Sequence, residues 1–302
     1  MSLIAAILLS ISAFTHAGWN FLGKKSNPST AFFLVANTAG VLFLSPVITY
    51  YWSRIAFVPV RVWVYLIAAG LFLAVYMGAL AESYKTIDMS IAYPLIRSIP
   101  VIVVMCIAIV MGRHREVGIC FFSGIMLAVT GCILLPQKKL LNIFSITKIK
   151  EVGFLPLLAG LATAGYTLVD SEALASLRGI KGRPFYPIDA TLVYQVLEGI
   201  STSVWMVGMV MLKKAERIRL KNILSYHNMS AIVTGLGIYL TYGLALASMN
   251  FVQSVAYVSV FRQLSIPIGA VMGIIFLKEK GYLPKILGII AVFVGLIMVS
   301  LT

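Results

Sequence analysis

The sequence predicts an all-α integral membrane protein with ten transmembrane helices arranged as two inverted five-helix repeats. Three observations carry that expectation. Of 302 residues, 60% are apolar and only 11% are Asp, Glu, Lys or Arg, whereas a soluble domain carries about 25% charged residues. The apolar residues fall in ten runs of the length that a bilayer core of about 30 Å demands, about 20 residues each. The two halves of the chain also match each other at fixed offsets.

The runs cover approximately residues 2–22, 30–51, 62–83, 90–111, 117–135, 154–174, 190–212, 229–248, 254–277 and 286–301. The first has no basic residue ahead of it and continues past its small residues to Trp19, so it reads as a span rather than a cleaved signal peptide. The loops are short and leave no room for a soluble domain, which places all function inside the bundle. Of the loops, the seventh is the most basic. Its stretch KKAERIRLKN at 213–222 interleaves with Ile218, Leu220, Ile223 and Leu224, the pattern of a short helix anchored among headgroups.

Two offsets relate the halves. THAGWN at 15–20 aligns with ATAGYT at 162–167, and an offset of 164 carries 91–135 onto 255–299 without a gap. Seven of those forty-five columns are identical, among them Tyr93 with Tyr257, Gly124 with Gly288 and Gly131 with Gly295. Residues 1–135 form the first repeat, 136–153 the loop between repeats and 154–302 the second. Five helices per repeat is an odd number, so the second repeat enters the membrane in the opposite sense, a plan that puts a substrate site near the midplane.

The chain carries 24 Lys and Arg against 10 Asp and Glu, a net +14. These cations sit in short loops beside headgroups, so nucleic-acid binding is not needed to explain them. Odd-numbered loops hold 15 of the cations and even-numbered loops 7, which by the positive-inside rule puts the odd loops in the cytoplasm. Cys106, Cys120 and Cys132 lie inside apolar runs and suggest neither a disulfide framework nor a thiolate site. His16, His114 and His227 are too scattered for a metal. There is no HExxH, P-loop or Gly-x-Ser-x-Gly motif, so neither catalysis, ATP-driven pumping, a metal nor a cofactor is expected.

Ionisable and polar groups inside the spans are the candidates for function, because each is costly in hydrocarbon unless paired or hydrated. Arg97 and Arg262 lie roughly 10 to 12 Å deep at 1.5 Å per residue. They serve either as ligands to a substrate or as structural cations that pair with a carboxylate or snorkel. Pro100 and Pro267 follow them and free the carbonyls of Ile96 and Gln263. Thr191, Tyr194, Glu198 and Thr202 share one helix face that cannot meet lipid. Glu198 either pairs with an arginine or carries a proton in exchange for substrate. His16 and Asn20 form a polar stripe in the first span, matched by Thr163, Tyr166, Thr167 and Asp170 in the sixth, and both stripes point inward. Tyr93, one turn before Arg97, and Tyr257 line the same cavity or pack as aromatics. Glu82 and Asp170, read as near span ends, are expected in interfacial salt bridges.

Taken with HAGWN and the following Lys24 and Lys25, the segments IAYPLIRSIPVIV at 91–103, VAYVSVFRQLSIPIG at 255–269, LKEK at 277–280 and GIIAVFVG at 288–295 resemble the drug/metabolite transporter superfamily, ten-helix EamA-like branch. The resemblance covers the whole chain, but its motifs are loose. It implies a central cavity shaped by the first four helices of each repeat with the fifth at the periphery, and it implicates Trp19, Tyr93, Arg97, Tyr166, Tyr257 and Arg262. It also implies cytoplasmic termini, opposite to the loop charges. The glutamate expected after the fourth helix appears as Glu116, only approximately matched to Glu279.

The expected function is a secondary transporter, an exporter among the options, working by alternating access in a bacterial-type inner (plasma) membrane. Its partners are the lipid bilayer and a small polar or amphipathic metabolite, bound by His16, Trp19, Asn20, Tyr93, Arg97, Tyr166, Tyr194, Glu198, Tyr257 and Arg262. Paired arginines favour an anionic or zwitterionic group such as a carboxylate or phosphonate. The alternative is a membrane-embedded enzyme or accessory protein acting on lipid-linked substrates, for which Glu82 and Asp88 are the candidate carboxylate pair. A monomer is compatible with all of these features.

Overall fold

The computed structural model describes residues 2–110, 119–139, 152–180, 185–225, 228–249, 251, 258 and 261–300. Those residues are 87% helical and include no strand. In chain order the helices are α1 (Leu3–Lys25), α2 (Thr30–Ile55), α3 (Val60–Thr86), α4 (Met89–Val110), α5 (Ile119–Leu134), α6 (Leu155–Arg178), α7 (Pro187–Leu212), α8 (Lys214–Ser225), α9 (Met229–Met249), α10 (Ser265–Phe276) and α11 (Leu283–Ser300). Helix starts follow local chemistry. The Ser2 and Ser29 side chains cap α1 and α2 by accepting from the amides of Ala5 and Phe32, and Pro187 opens α7, where its missing N–H costs nothing.

Each expected apolar run meets a helix, and the polar run at 213–222 becomes α8. α1, α2, α3 and the Ile188–Leu212 stretch of α7 are long and apolar enough to cross a membrane, and five other helices are apolar over shorter described stretches. Large apolar side chains such as Phe14, Leu42, Phe43, Val204 and Leu240 face outward. Helices apolar on both faces fit an integral membrane protein of many passes.

Several helix contacts in one half of the chain have a like contact in the other. α1 packs on α9 as α6 packs on α3, α2 on α9 as α7 on α3, and α4 on α6 as α10 on α1. Three helix pairs drawn from the two parts of the chain run antiparallel. In α5 and α11, Gly124 faces Gly295 and Gly131 faces Gly288; a Cβ added to Gly124 would lie 2.8 Å from the Gly295 carbonyl oxygen, and one on Gly131 2.7 Å from that of Gly288. Backbones this close require glycine, as at many helix contacts in membranes. In α2 and α7, Asn37 meets Ser203 while Val41 meets Gly199. In α4 and α10, Tyr93 meets Gly269 while Ser90 meets Gly273.

One end of the bundle is tied by charged side chains. Glu279 accepts from the amides of Met89 (2.6 Å) and Ser90 (2.8 Å) and so caps α4 from the other half of the chain. Lys24 donates to the carbonyls of Tyr84 and Ile87 at the end of α3. Lys285 bonds Asp88 (2.9 Å) and Ser90 (3.1 Å). The helix expected only to anchor among headgroups does more than that. α8 packs Leu220 and Ile223 against the main core. Its buried Glu216 caps α2 through the Ala31 amide at 2.9 Å and takes Arg219 and Lys85 as ion partners at 2.6 and 3.6 Å.

Candidate functional site

Six helices and the segment ahead of α10 line a partly open cavity of about 140 Å³. α1 contributes His16 and Trp19, α6 Tyr166 and Asp170, and α7 Gln195 and Glu198. Asn37 enters from α2, Tyr76 from α3, and Tyr239 and Tyr242 from α9, while Arg262 closes the remaining side. The wall is therefore aromatic and polar inside helices that are otherwise apolar.

Behind the α1 face runs a chain of hydrogen bonds. The Tyr84 hydroxyl donates to Asn20 Oδ1 at 2.8 Å, Asn20 Nδ2 donates to the His16 carbonyl at 2.9 Å, and the Tyr93 hydroxyl lies 2.7 Å from His16 Nδ1. Asn20 and His16 are one helical turn apart, so a single face of α1 reaches both α3 and α4. The chain holds the imidazole at the cavity edge, tilted against Trp19 with ring centroids 5.1 Å apart.

The two arginines come from opposite halves and meet. Arg97 Nη2 donates to the backbone carbonyl of Arg262 at 3.2 Å, and the Ser265 hydroxyl donates to the same oxygen at 2.8 Å. That carbonyl is available because the helix breaks at Leu264, ahead of Pro267. The turn at Leu264 starts a new helix at Ser265 and leaves Pro267 in its first turn, where its missing N–H costs no bond. Arg97 Nε is buried with no hydrogen-bond partner among the described residues. Among the described residues, no ion pair joins Arg97 or Arg262 to a carboxylate.

Opposite them stand two acids. The Tyr194 hydroxyl donates to Asp170 Oδ1 at 2.8 Å. Glu198, one turn on from Tyr194, has a buried Oε1 that receives no hydrogen bond among the described residues, and the Gln195 side-chain oxygen is likewise buried and unpartnered among them. The expected face of α7 is confirmed as turned from lipid: Thr191, Tyr194 and Thr202 are all buried.

Of the residues singled out from sequence, His16, Trp19, Tyr166, Glu198 and Arg262 line the cavity. Asn20, Tyr93 and Tyr194 are buried one layer behind it, bonded to His16 or Asp170. Arg97 lies beside Arg262. Tyr257 lies outside the described residues. Two expectations need correction. Thr167 is exposed rather than inward, its hydroxyl donating to its own helix at Thr163. Asp170 makes no interfacial salt bridge among the described residues; α6 runs on to Arg178, so Asp170 sits two turns inside the helix and faces the cavity. Glu82, by contrast, pairs with Lys85 at 2.6 Å as expected, and Asp88 pairs with Lys285. The carboxylates required by a lipid-linked enzyme are thus engaged in ion pairs.

Sequence reasoning missed Asn37, Tyr76, Gln195, Tyr239 and Tyr242 as wall residues. Asn37 shows the kind of signal available: an amide seven residues into an apolar run, here donating to the Gly199 carbonyl at 2.8 Å and accepting from Tyr239 at 3.2 Å. Compared with protein-family models and with curated proteins, the chain matches none.

Proposed function

We propose that this chain is a secondary transporter that carries a small polar metabolite across a bacterial-type inner membrane by rocking one five-helix half against the other. The observation that carries the reading is the cavity itself. Arg262, Asp170 and Glu198 line one cavity of about 140 Å³ inside a bundle of apolar helices. Ionisable groups at such depth are retained where they meet an ion or a polar cargo.

The alternating-access part rests on the packing pattern. Counterpart helices that cross antiparallel, and contacts that map onto each other when the halves exchange, support residues 1–135 and 154–302 as inverted repeats joined by 136–153. Rocking such halves exposes one site to each side in turn. The resemblance to the drug/metabolite transporter superfamily, EamA-like branch, supports the same role.

The test is uptake into proteoliposomes of purified protein, with labelled amino acids, phosphonates, nucleosides, sugars and polyamines offered separately. Time-dependent accumulation of one class, lost in Arg262→Lys, is the expected result. Uptake equal to that of protein-free liposomes for every class refutes the proposal.

A further inference from the structure

We infer that the tied end of the bundle is a binding surface for anionic phospholipid headgroups, with the outer face of α8 as its main contact. None of the residues involved lines the central cavity, so the inference is independent of what that cavity carries.

The level of α8 follows from its bonds. The helix begins at Lys214, two residues after α7 ends at Leu212. Its Glu216 reaches the Ala31 amide in the first turn of α2 and Lys85 in the last turn of α3. Three apolar helices therefore start or stop where α8 lies, which puts it along the membrane surface. Its two faces differ. Glu216 is buried, and Leu220 and Ile223 pack on the core. Lys214, Arg217 and Lys221 are exposed and, spaced three and four apart, form one stripe on the outer side. Ile218 and Leu224 flank that stripe and are 53% and 59% exposed. Cations beside exposed aliphatic side chains suit a headgroup layer, where the charges meet phosphates and the aliphatic groups enter the acyl boundary. A soluble polyanion would leave those aliphatic groups in water.

Charge at this end is unbalanced for a structural reason. Glu82 and Asp88 pair with Lys85 and Lys285, while Glu216 and Glu279 hold the amides that start α2 and α4. The acids described at this end are thus engaged by the bundle itself. Lys25 follows the lysine that bonds the end of α3, Lys278 and Lys280 flank Glu279, and all three are exposed. Among the described residues, no ion pair engages these three or the three cations of the α8 stripe. Net-negative headgroups supply the missing partners. At the opposite end the described arginines are otherwise occupied: Arg54 and Arg61 lie over the Tyr51 and Tyr65 rings, and Arg178 bonds its own helix.

The experiment measures binding of labelled dioleoylphosphatidylglycerol and dioleoylphosphatidylcholine to the full-length protein in mixed micelles. Phosphatidylglycerol is expected to bind about tenfold or more tightly than phosphatidylcholine at about 0.1 M salt and to lose most of that preference at about 1 M, where charges are screened within a few ångströms. The triple variant Lys214→Gln, Arg217→Gln, Lys221→Gln is expected to weaken phosphatidylglycerol about tenfold or more and to leave phosphatidylcholine unchanged. The matched triple Arg54→Gln, Arg61→Gln, Arg178→Gln removes the same charge from the opposite end and should leave both lipids nearly unchanged. Melting curves without added lipid show whether each variant is folded. If the α8 triple melts early, Lys221→Gln alone carries the test, with an expected loss of about fivefold. Equal binding of the two lipids, or equal losses in the two triple variants, overturns the inference. Glycerol 1-phosphate binding as tightly as phosphatidylglycerol also overturns it, because the occupant would then be a soluble anion.

Discussion

Arg97 hands a guanidinium hydrogen bond to the backbone carbonyl of Arg262, across the contact between α4 and the broken helix ahead of α10. Each residue belongs to a different half of the chain, so this one bond couples the halves beside the cavity. The break supplies the acceptor, and the charge stays free of carboxylate partners among the described residues.

Replacing Arg97 or Arg262 by Lys keeps the charge and loses the planar fork. Uptake is expected to fall about tenfold, the worth of one charge-assisted hydrogen bond, while the detergent melting temperature stays within a few degrees. A large loss of stability that Glu198→Gln restores would instead make the arginines structural partners of that glutamate.

The glycine contacts make the sense of packing measurable. A Cβ on Gly295 would sit 2.5 Å from the Gly124 carbonyl oxygen and 2.6 Å from the Ala128 amide nitrogen, both rigid backbone, whereas nothing lies within 4 Å of one on Gly208. Gly295→Ala is expected to cost about 1–3 kcal/mol, the range for overpacking, and Gly208→Ala next to nothing. Cysteines at 124 and 295 should cross-link, and a pair at 124 and 288 should not. The reverse result would mean parallel rather than antiparallel counterparts.

At the tied end, Glu279 holds two amides that a helix N-terminus otherwise leaves to solvent. Glu279→Gln should speed amide hydrogen exchange at Met89 and Ser90 and lower stability by about 1–2 kcal/mol, typical of a lost cap. Unchanged exchange would show that the cap does not secure α4.

The fold was largely legible in the sequence because run length and charge punctuation dictate where helices lie in a bilayer. The site was legible only where a single residue broke the apolar pattern. Glu198, Arg97 and Arg262 stood out for that reason. Asp170 was misplaced because the apolar run was ended at about 174, whereas the helix continues to Arg178. Gln195 and Tyr239 gave no sign, since their role depends on which of α2, α7 and α9 become neighbours. The use of the Arg262 carbonyl as an acceptor was not legible, because it depends on the helix break at Leu264.

The chain Tyr84–Asn20–His16–Tyr93 should behave as a unit. Asn20→Ala leaves the buried Tyr84 hydroxyl without its acceptor, at about 1–3 kcal/mol. Adding Tyr84→Phe removes the stranded group and should recover part of that loss, a coupling visible in a double-mutant cycle of melting curves. Strict additivity would show that the two residues act independently.

Alternating access is tested most directly at Ile238, which lines the cavity. A single cysteine is placed there after Cys106, Cys120 and Cys132 are replaced, and a membrane-impermeant maleimide is applied separately to each face of sealed vesicles of known orientation. The account predicts labelling from both faces, with each slowed by a transported substrate. Labelling from one face alone, unaltered by ligand, would contradict it.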